Sequence, residues 1–282
     1  MTITTLYQSL VNRYQPLSRD TRSPQGMAAG QRGHIALQVG PTYQKLEIIT
    51  SGISKTKLKR LSIELNGEQI VSLTGSEMVM LQQYKGNHTE EGRYIVDFAD
   101  AQYRTKNGIR SGELVTLPTD ELIVYIDLDD TIADDWTLRA RSWITAAQPV
   151  RYFVPKIFGL TYDAAASGDN DLFWKNGSVT RFIRRLHFRA NNINRLTVFR
   201  DDTKRHEVQA DDNLFDLQLN GLVPQTGYFH FDPGQLKFGL EGLFPTYADK
   251  ELKFVLNKAS AGPVPILVEL LEQVRPFDTA AG

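Results

Sequence analysis

The sequence predicts an all-β protein built as two similar antiparallel β-sandwiches in tandem. Three observations predict it: short segments alternating apolar and polar residues from Gly33 onward, few helical candidates, and a pattern that recurs at close to half the chain length. Period-two alternation buries one face of a strand and wets the other, which suits antiparallel sheet.

Ile35, Leu37 and Val39 alternate with polar residues, as do Leu46 and Ile48, then Leu61, Ile63 and Leu65 before Asn66-Gly67. Asn-Gly signals a tight hairpin, because both residues tolerate positive φ. Further strands are predicted at 94–98, 113–117, 122–128 and 138–143. In the second half they fall at 151–158, 180–189, 195–199, 227–231, 252–257 and 266–271. Beyond a short amphipathic helix on the N-terminal arm, helices are expected at 76–84 and 211–219, each opened by a capping-type residue. Many short strands with so little helix indicate a sandwich or jelly roll.

The halves resemble each other. Arg60-Leu61-Ser62-Ile63 answers Arg195-Leu196-Thr197-Val198 at an offset of 135, and Leu73, Val79 and Met80 fall on Val208, Leu214 and Phe215. One inserted residue would then bring Leu81-Gln82 onto Leu217-Gln218. Glu121-Leu122, with Val124 and Ile126, answers Glu251-Leu252, with Phe254 and Leu256, at an offset of 130. In each half a strand leads to a turn, a second strand and a short helix. Matched blocks in the same order favour duplication of a whole domain. The boundary is expected at Ala146-Ala147-Gln148-Pro149, giving domains at 32–147 and 148–282, each of ordinary size.

Composition narrows the function. The 282 residues are 41% hydrophobic and 23% charged with a net charge of -1, so the chain reads as globular and lacks the field of a nucleic-acid binder. It has no cysteine, which removes thiolate chemistry and disulfide staples. The N-terminus lacks a secretory pattern, and no apolar run is long enough to span a bilayer. Residues 1–31 read as an arm: Leu6, Leu10 and Val11 lie at helical spacing, and a polar stretch at 18–31 follows without regular structure. Arg13, Arg19 and Arg22 there, with Arg32 just beyond, outnumber Asp20.

The sharpest enzymatic signal is the strand 123–128 running into Asp127-Leu128-Asp129-Asp130-Thr131. It resembles the first motif of haloacid-dehalogenase-type phosphatases, with Asp127 as nucleophile and Asp129 as acid. That motif belongs on a parallel α/β sheet, whereas long antiparallel β precedes it here. Asp201-Asp202 could imitate the late acidic pair, but no lysine motif lies between. A polar turn is the plainer reading. Asp127, Asp129 and Asp130 also suit a hard cation such as calcium. His34, His88, His187, His206 and His230 form no ligand spacing. Arg181, Arg185, His187 and Arg189 are expected on one face of a strand, with Arg184 interrupting the other. That face reads as solvated, or as a contact for an acidic neighbour or lipid headgroups.

Taken together, the chain resembles the double jelly-roll major capsid proteins of tailless, internal-membrane-containing icosahedral phages, corticovirus-like within the tectivirus/adenovirus lineage. The carriers are the Gly40-Pro41-Thr42-Tyr43 turn before a strand at 46–51, the strand 61–67 ending in a hairpin turn, the strand 122–128, and Ile266-Leu267-Val268-Glu269. The resemblance implies two tandem eight-stranded jelly rolls, standing upright, with no enzyme activity or required cofactor. Three copies would make a pseudo-hexagonal homotrimer tiling a virion shell assembled in the host cytoplasm. Its partners would be neighbouring trimers, penton or vertex proteins, minor membrane proteins and the lipid membrane, but no specific nucleic-acid sequence. Outer loops such as 159–178 would meet neighbours. Leu6, Leu10, Arg13, Arg19, Arg22, Arg181, Arg185 and Arg189 would supply membrane or inter-capsomer contacts. The competing class is a non-viral pair of carbohydrate-binding sandwiches, stacking sugars on Trp136, Trp143 or Trp174.

Overall fold

The structure, a computed structural model, describes residues 17–276. The first half comprises β1 (Leu17–Asp20), β2 (Arg32–Ala36), β3 (Thr42–Ser51), β4 (Leu58–Leu65), β5 (Glu68–Leu73), α1 (Gly75–Tyr84), β6 (Arg93–Asp97), α2 (Lys106–Ser111), β7 (Leu114–Val115), β8 (Leu122–Leu128) and β9 (Thr137–Thr145). The second comprises β10 (Phe153–Ala164), β11 (Gly168–Phe173), β12 (Arg181–Phe188), β13 (Ile193–Arg200), β14 (Thr203–Gln209), α3 (Ala210–Leu219), β15 (Phe229–Phe231), a 3-10 turn (Gly239–Gly242), β16 (Phe244–Pro245), β17 (Leu252–Lys258) and β18 (Gly262–Gln273). Among the described residues each half thus holds the expected eight strands and a ninth of two residues.

In the first half, β1-β9-β3-β6, with β7 on β3, faces β5-β4-β8-β2. In the second, β10-β18-β12-β15, with β16 on β12, faces β11-β17-β13-β14. Every pairing of the first half recurs in the second with both strand numbers raised by nine. The register shift at Ile63/Glu64 recurs at Val198/Phe199, and the one at Leu58/Arg60 recurs at Ile193/Arg195. Both repeats keep the offset of 135, so the correspondence is residue by residue.

Local chemistry explains the repeated elements. On β8, Leu122, Val124, Ile126 and Leu128 are buried and the residues between them are not. Each such side chain contributes roughly 1.5–3 kcal/mol by leaving water. The β4–β5 turn has φ 54 at Asn66 and 78 at Gly67, as Asn-Gly foretold. Its counterpart is Asp201-Asp202, with φ 52 and 62. Asn66 Oδ1 accepts from Glu121 N at 2.8 Å, and Asp201 Oδ1 accepts from Lys250 N at 2.7 Å. The acidic pair is therefore a turn and belongs to no acid catalyst. Both predicted helices exist, but α1 is capped by Thr74 in a capping box with Glu77, and Gln209 precedes α3 without a side-chain cap.

Four expectations need correction. Residues 18–31 contain structure, because β1 pairs with β9. All four β1 side chains are exposed, so backbone pairing and surface polar contacts hold it and no apolar pattern marks it. The segment 159–178 is mostly strand, shared between the end of β10 and β11. The inserted residue near 216 is absent. The helix-end bonds Gly86 N→Gln83 O and Asn87 N→Gln82 O recur as Gly221 N→Gln218 O and Leu222 N→Leu217 O, so the offset of 135 holds through both helices. A register shift between Ile183 and Arg185 breaks the alternation on β12, and residues 183–188 are all buried.

The halves are fused. β5 and β10 pair in parallel at Val71 and Ile157, joining two sheets into one of nine strands. The first core crosses the seam, taking in Val154, Ile157, Leu217, Leu222 and Leu267 from the second half. Gly108 on α2 and Gly239 in the 3-10 turn also meet there. A Cβ on Gly108 would lie 2.8 Å from the Gly239 Cα.

Candidate functional site

Beside the fused sheet lies a buried ionic cluster that ties the sandwiches together. Strand β12 brings Arg184, Arg185 and His187 to the seam, and β18 brings Glu269 from the middle of an apolar run. His230 and Asp232 come from β15 and its end, while Tyr84, Lys85, Asp97 and Asp100 come from the first half. These groups are buried.

Arg185 is the hub. Its guanidinium donates to Asp100 across the seam, and Arg185 Nε lies 2.7 Å from Asp232 Oδ2, with Glu269 Oε2 3.5 Å from Nη1. Arg184 donates to Phe98 O at 3.2 Å and lies 3.5 Å from Asp100. Lys85 Nζ sits 3.8 Å from both Asp100 and Glu269, and 4.0 Å from Asp97. The Tyr84 hydroxyl donates to Asp232 at 3.0 Å. Burial alone would push the Asp100 carboxyl up; Arg185, Lys85 and Arg184 outweigh it and hold it below the ordinary range. Burial likewise opposes ionised Glu269, and Lys85, Arg185 and His187 hold it well down. Removing one partner from such a cluster is costly, because its neighbours are left as unpaired buried charge.

Two imidazoles extend the cluster. His187 and His230 meet Nδ1 to Nδ1 at 2.6 Å, and His187 Nε2 lies 3.0 Å from Glu269 Oε1. Gln225 N donates to His230 Nε2 at 3.0 Å. That bond assigns the tautomers: His230 carries its proton on Nδ1 and donates to His187, which donates from Nε2 to Glu269. Burial first, then His187 and Arg185, push His230 down to about 2.

Arg185 is thus a core residue and does not face outward as the alternation suggested. Arg181 pairs with Glu272 at 2.8 Å, and Arg189 is exposed at the end of β12. Arg19 donates to Gln38 at 2.8 Å, and Arg22 is exposed. Leu6, Leu10 and Arg13 lie outside the described residues. The carboxylates considered for calcium do not converge. Asp127 is held by Arg32 at 2.7 and 2.9 Å, and Asp129 by Lys57 at 3.1 Å and Lys59 at 3.3 Å. Asp130 follows in the turn, and among the described residues no group of three or more acids and histidines could hold a metal. The strand bearing Asp127 pairs antiparallel with β2 and β4, which excludes the phosphatase sheet. The tryptophans form no shared platform. Trp136 packs on the first core, Trp143 lies under Arg141 at 4.7 Å, and Trp174 packs on Phe254.

Two jelly rolls of one topology, joined into a continuous sheet and locked by buried charge, define the double jelly-roll class. The sequence matches the viral coat protein P2 N-terminal domain over residues 18–145 and the viral coat protein P2 C-terminal domain over residues 154–274. The chain belongs to the viral coat protein P2 family and is a viral major capsid protein. Among solved structures it is similar to the major capsid protein P2 from Bacteriophage PM2, with a TM-score of 0.85 at 16% identity, covering 93% of this chain and 99% of that one. The STIV major capsid protein follows at 0.69 and 10%, covering 95% and 100%. The PBCV-1 virus capsid follows at 0.61 and 8%, covering 93% and 95%. No curated protein sequence matches.

Proposed function

We propose that three copies form a homotrimer whose six sandwiches make a pseudo-hexagonal tile, and that such tiles build an icosahedral shell over an internal lipid membrane. The observation that carries this reading is the strand-for-strand equivalence of the halves. Two equivalent sandwiches per chain let a threefold assembly present six similar sides, so one gene product can fill a hexagonal lattice position.

The role we assign is structural rather than catalytic. The chain acts in the virion capsid after assembly in the host cytoplasm. Its partners are its own copies, vertex proteins and minor membrane proteins. We divide the chain at 147/148 and count β1 with the first jelly roll, which leaves residues 1–16 as the arm. Leu6, Leu10 and Arg13 there, with Arg19 and Arg22 at its root, would meet lipid headgroups or neighbouring tiles; Arg189 offers a further exposed cation. Mass photometry of the purified chain tests the reading. It should give one species at three times the 31.9 kDa chain mass, and a monomer at micromolar concentration would refute it.

A further inference from the structure

The seam within the chain has an unfilled counterpart at the chain's two outer edges. In the repeat β5 corresponds to β14 and β10 to β1. β5 and β10 are joined, whereas β14 and β1 each end a sheet with no strand beyond among the described residues. Both are largely exposed. The strand numbers agree as well. The fused sheet takes β5, β4, β8 and β2 from one half and β10, β18, β12, β15 and β16 from the other. The two open sheets hold four and five strands, with β14 and β1 at their free edges. Long unpaired edges are templates for another chain.

The helices carry the same asymmetry. α1 has six buried residues of ten and α3 has two. Tyr84, buried at the seam against His187 and His230, corresponds to Leu219, which is 71% exposed. Met80, 5% exposed, corresponds to Phe215, 63% exposed. Phe215 and Leu219 are four residues apart and share one stripe. An apolar stripe is thus left open on the second half.

We propose that the second jelly roll of one copy docks on the first jelly roll of the next through this repeated seam, with β14 beside β1 and the Phe215–Leu219 stripe covered. This rests on the trimer reading and assigns its contact surface. The pairing of Val71 with Ile157 fixes the register. Through the equivalences Val71 to His206 and Ile157 to Ser18, His206 falls opposite Ser18 of the next copy. Glu207 then falls opposite Arg19, an exposed anion facing an exposed cation. The joint is head-to-tail, and a threefold ring closes it.

The absence of cysteine makes the test clean. The double variant Arg19→Cys/Glu207→Cys, treated with a short bis-thiol crosslinker, should give covalent dimers and trimers on a denaturing gel and nothing larger. Each single variant should stay at one chain. Phe215→Asp/Leu219→Asp should shift the native species to monomer while leaving the monomer's urea midpoint within error. A trimer by mass photometry in which the double variant does not crosslink would overturn the surface and leave the trimer standing. A wild-type monomer would overturn both.

Discussion

Asp100 of the first sandwich and Arg185 of the second form a buried ion pair across the seam, and Lys85 and Arg184 lean on the same carboxylate. Asp100→Ala leaves three buried cations short of one counter-charge. The cost should be about 3–5 kcal/mol, read as a drop in the urea midpoint. Asp129→Asn serves as the surface comparison. Its carboxylate is paired only at the periphery, and the midpoint should barely move.

Acid should loosen the seam, and His230 sets the first part of the window. Its folded value is pushed down to about 2, while the free group titrates near 6.5. Between those values the unfolded chain binds a proton that the folded chain refuses. Stability is therefore whole above about 6.5 and falls as the pH drops. The depressed Asp100 and Glu269 carboxyls act in the same sense at lower pH, their contribution being lost as pH falls through the carboxylate range. From pH 7 to pH 5 the His230 share is about 2 kcal/mol, because each tenfold rise in proton concentration below 6.5 costs ~1.4 kcal/mol. Urea titrations should show that gap in the wild type and a gap smaller by that amount in His230→Asn.

The second-repeat turn places Asp202 where the first places Gly67, both at positive φ. Aspartate tolerates that region only at a cost, and glycine adopts it freely. Asp202→Gly should stabilise the chain by about 0.5–1 kcal/mol, the relief of backbone strain outweighing the added freedom of the unfolded state. A higher thermal midpoint in calorimetry checks it.

Two truncations separate the arm from the fold. Deleting residues 1–31 removes β1 and bares the edge of β9, so its urea midpoint should fall below that of a chain lacking only 1–16. Flotation with anionic vesicles should be weaker for both than for the full chain, if Leu6, Leu10 and Arg13 hold lipid.

The fold was legible where one side of a strand is buried. β8 alternates cleanly, and the match of Arg60-Leu61-Ser62-Ile63 to Arg195-Leu196-Thr197-Val198 marks equivalent strands. β1 was invisible because its side chains carry no pattern, and β11 and β14 are largely exposed. The seam cluster was harder to read. Arg184-Arg185 and Glu269 each interrupt an apolar run, which is the one local sign that a charge is buried. Their partners Asp100 and Asp232 lie 84 to 85 and 47 residues away from the arginines, too far for any spacing to reveal. The bulge at Ile183/Arg185 then let Arg185 be buried beside Arg184, and a bulge leaves no periodic trace.

The parallel contact of β5 with β10 also bears on assembly kinetics. A ring of six separate sandwiches would need every joint made by collision. Within this chain one joint in two is already made, at an effective concentration that dilution cannot lower. In the proposed trimer only three joints depend on how much protein the infected cell holds, so tile formation would scale with the third power of chain concentration rather than the sixth.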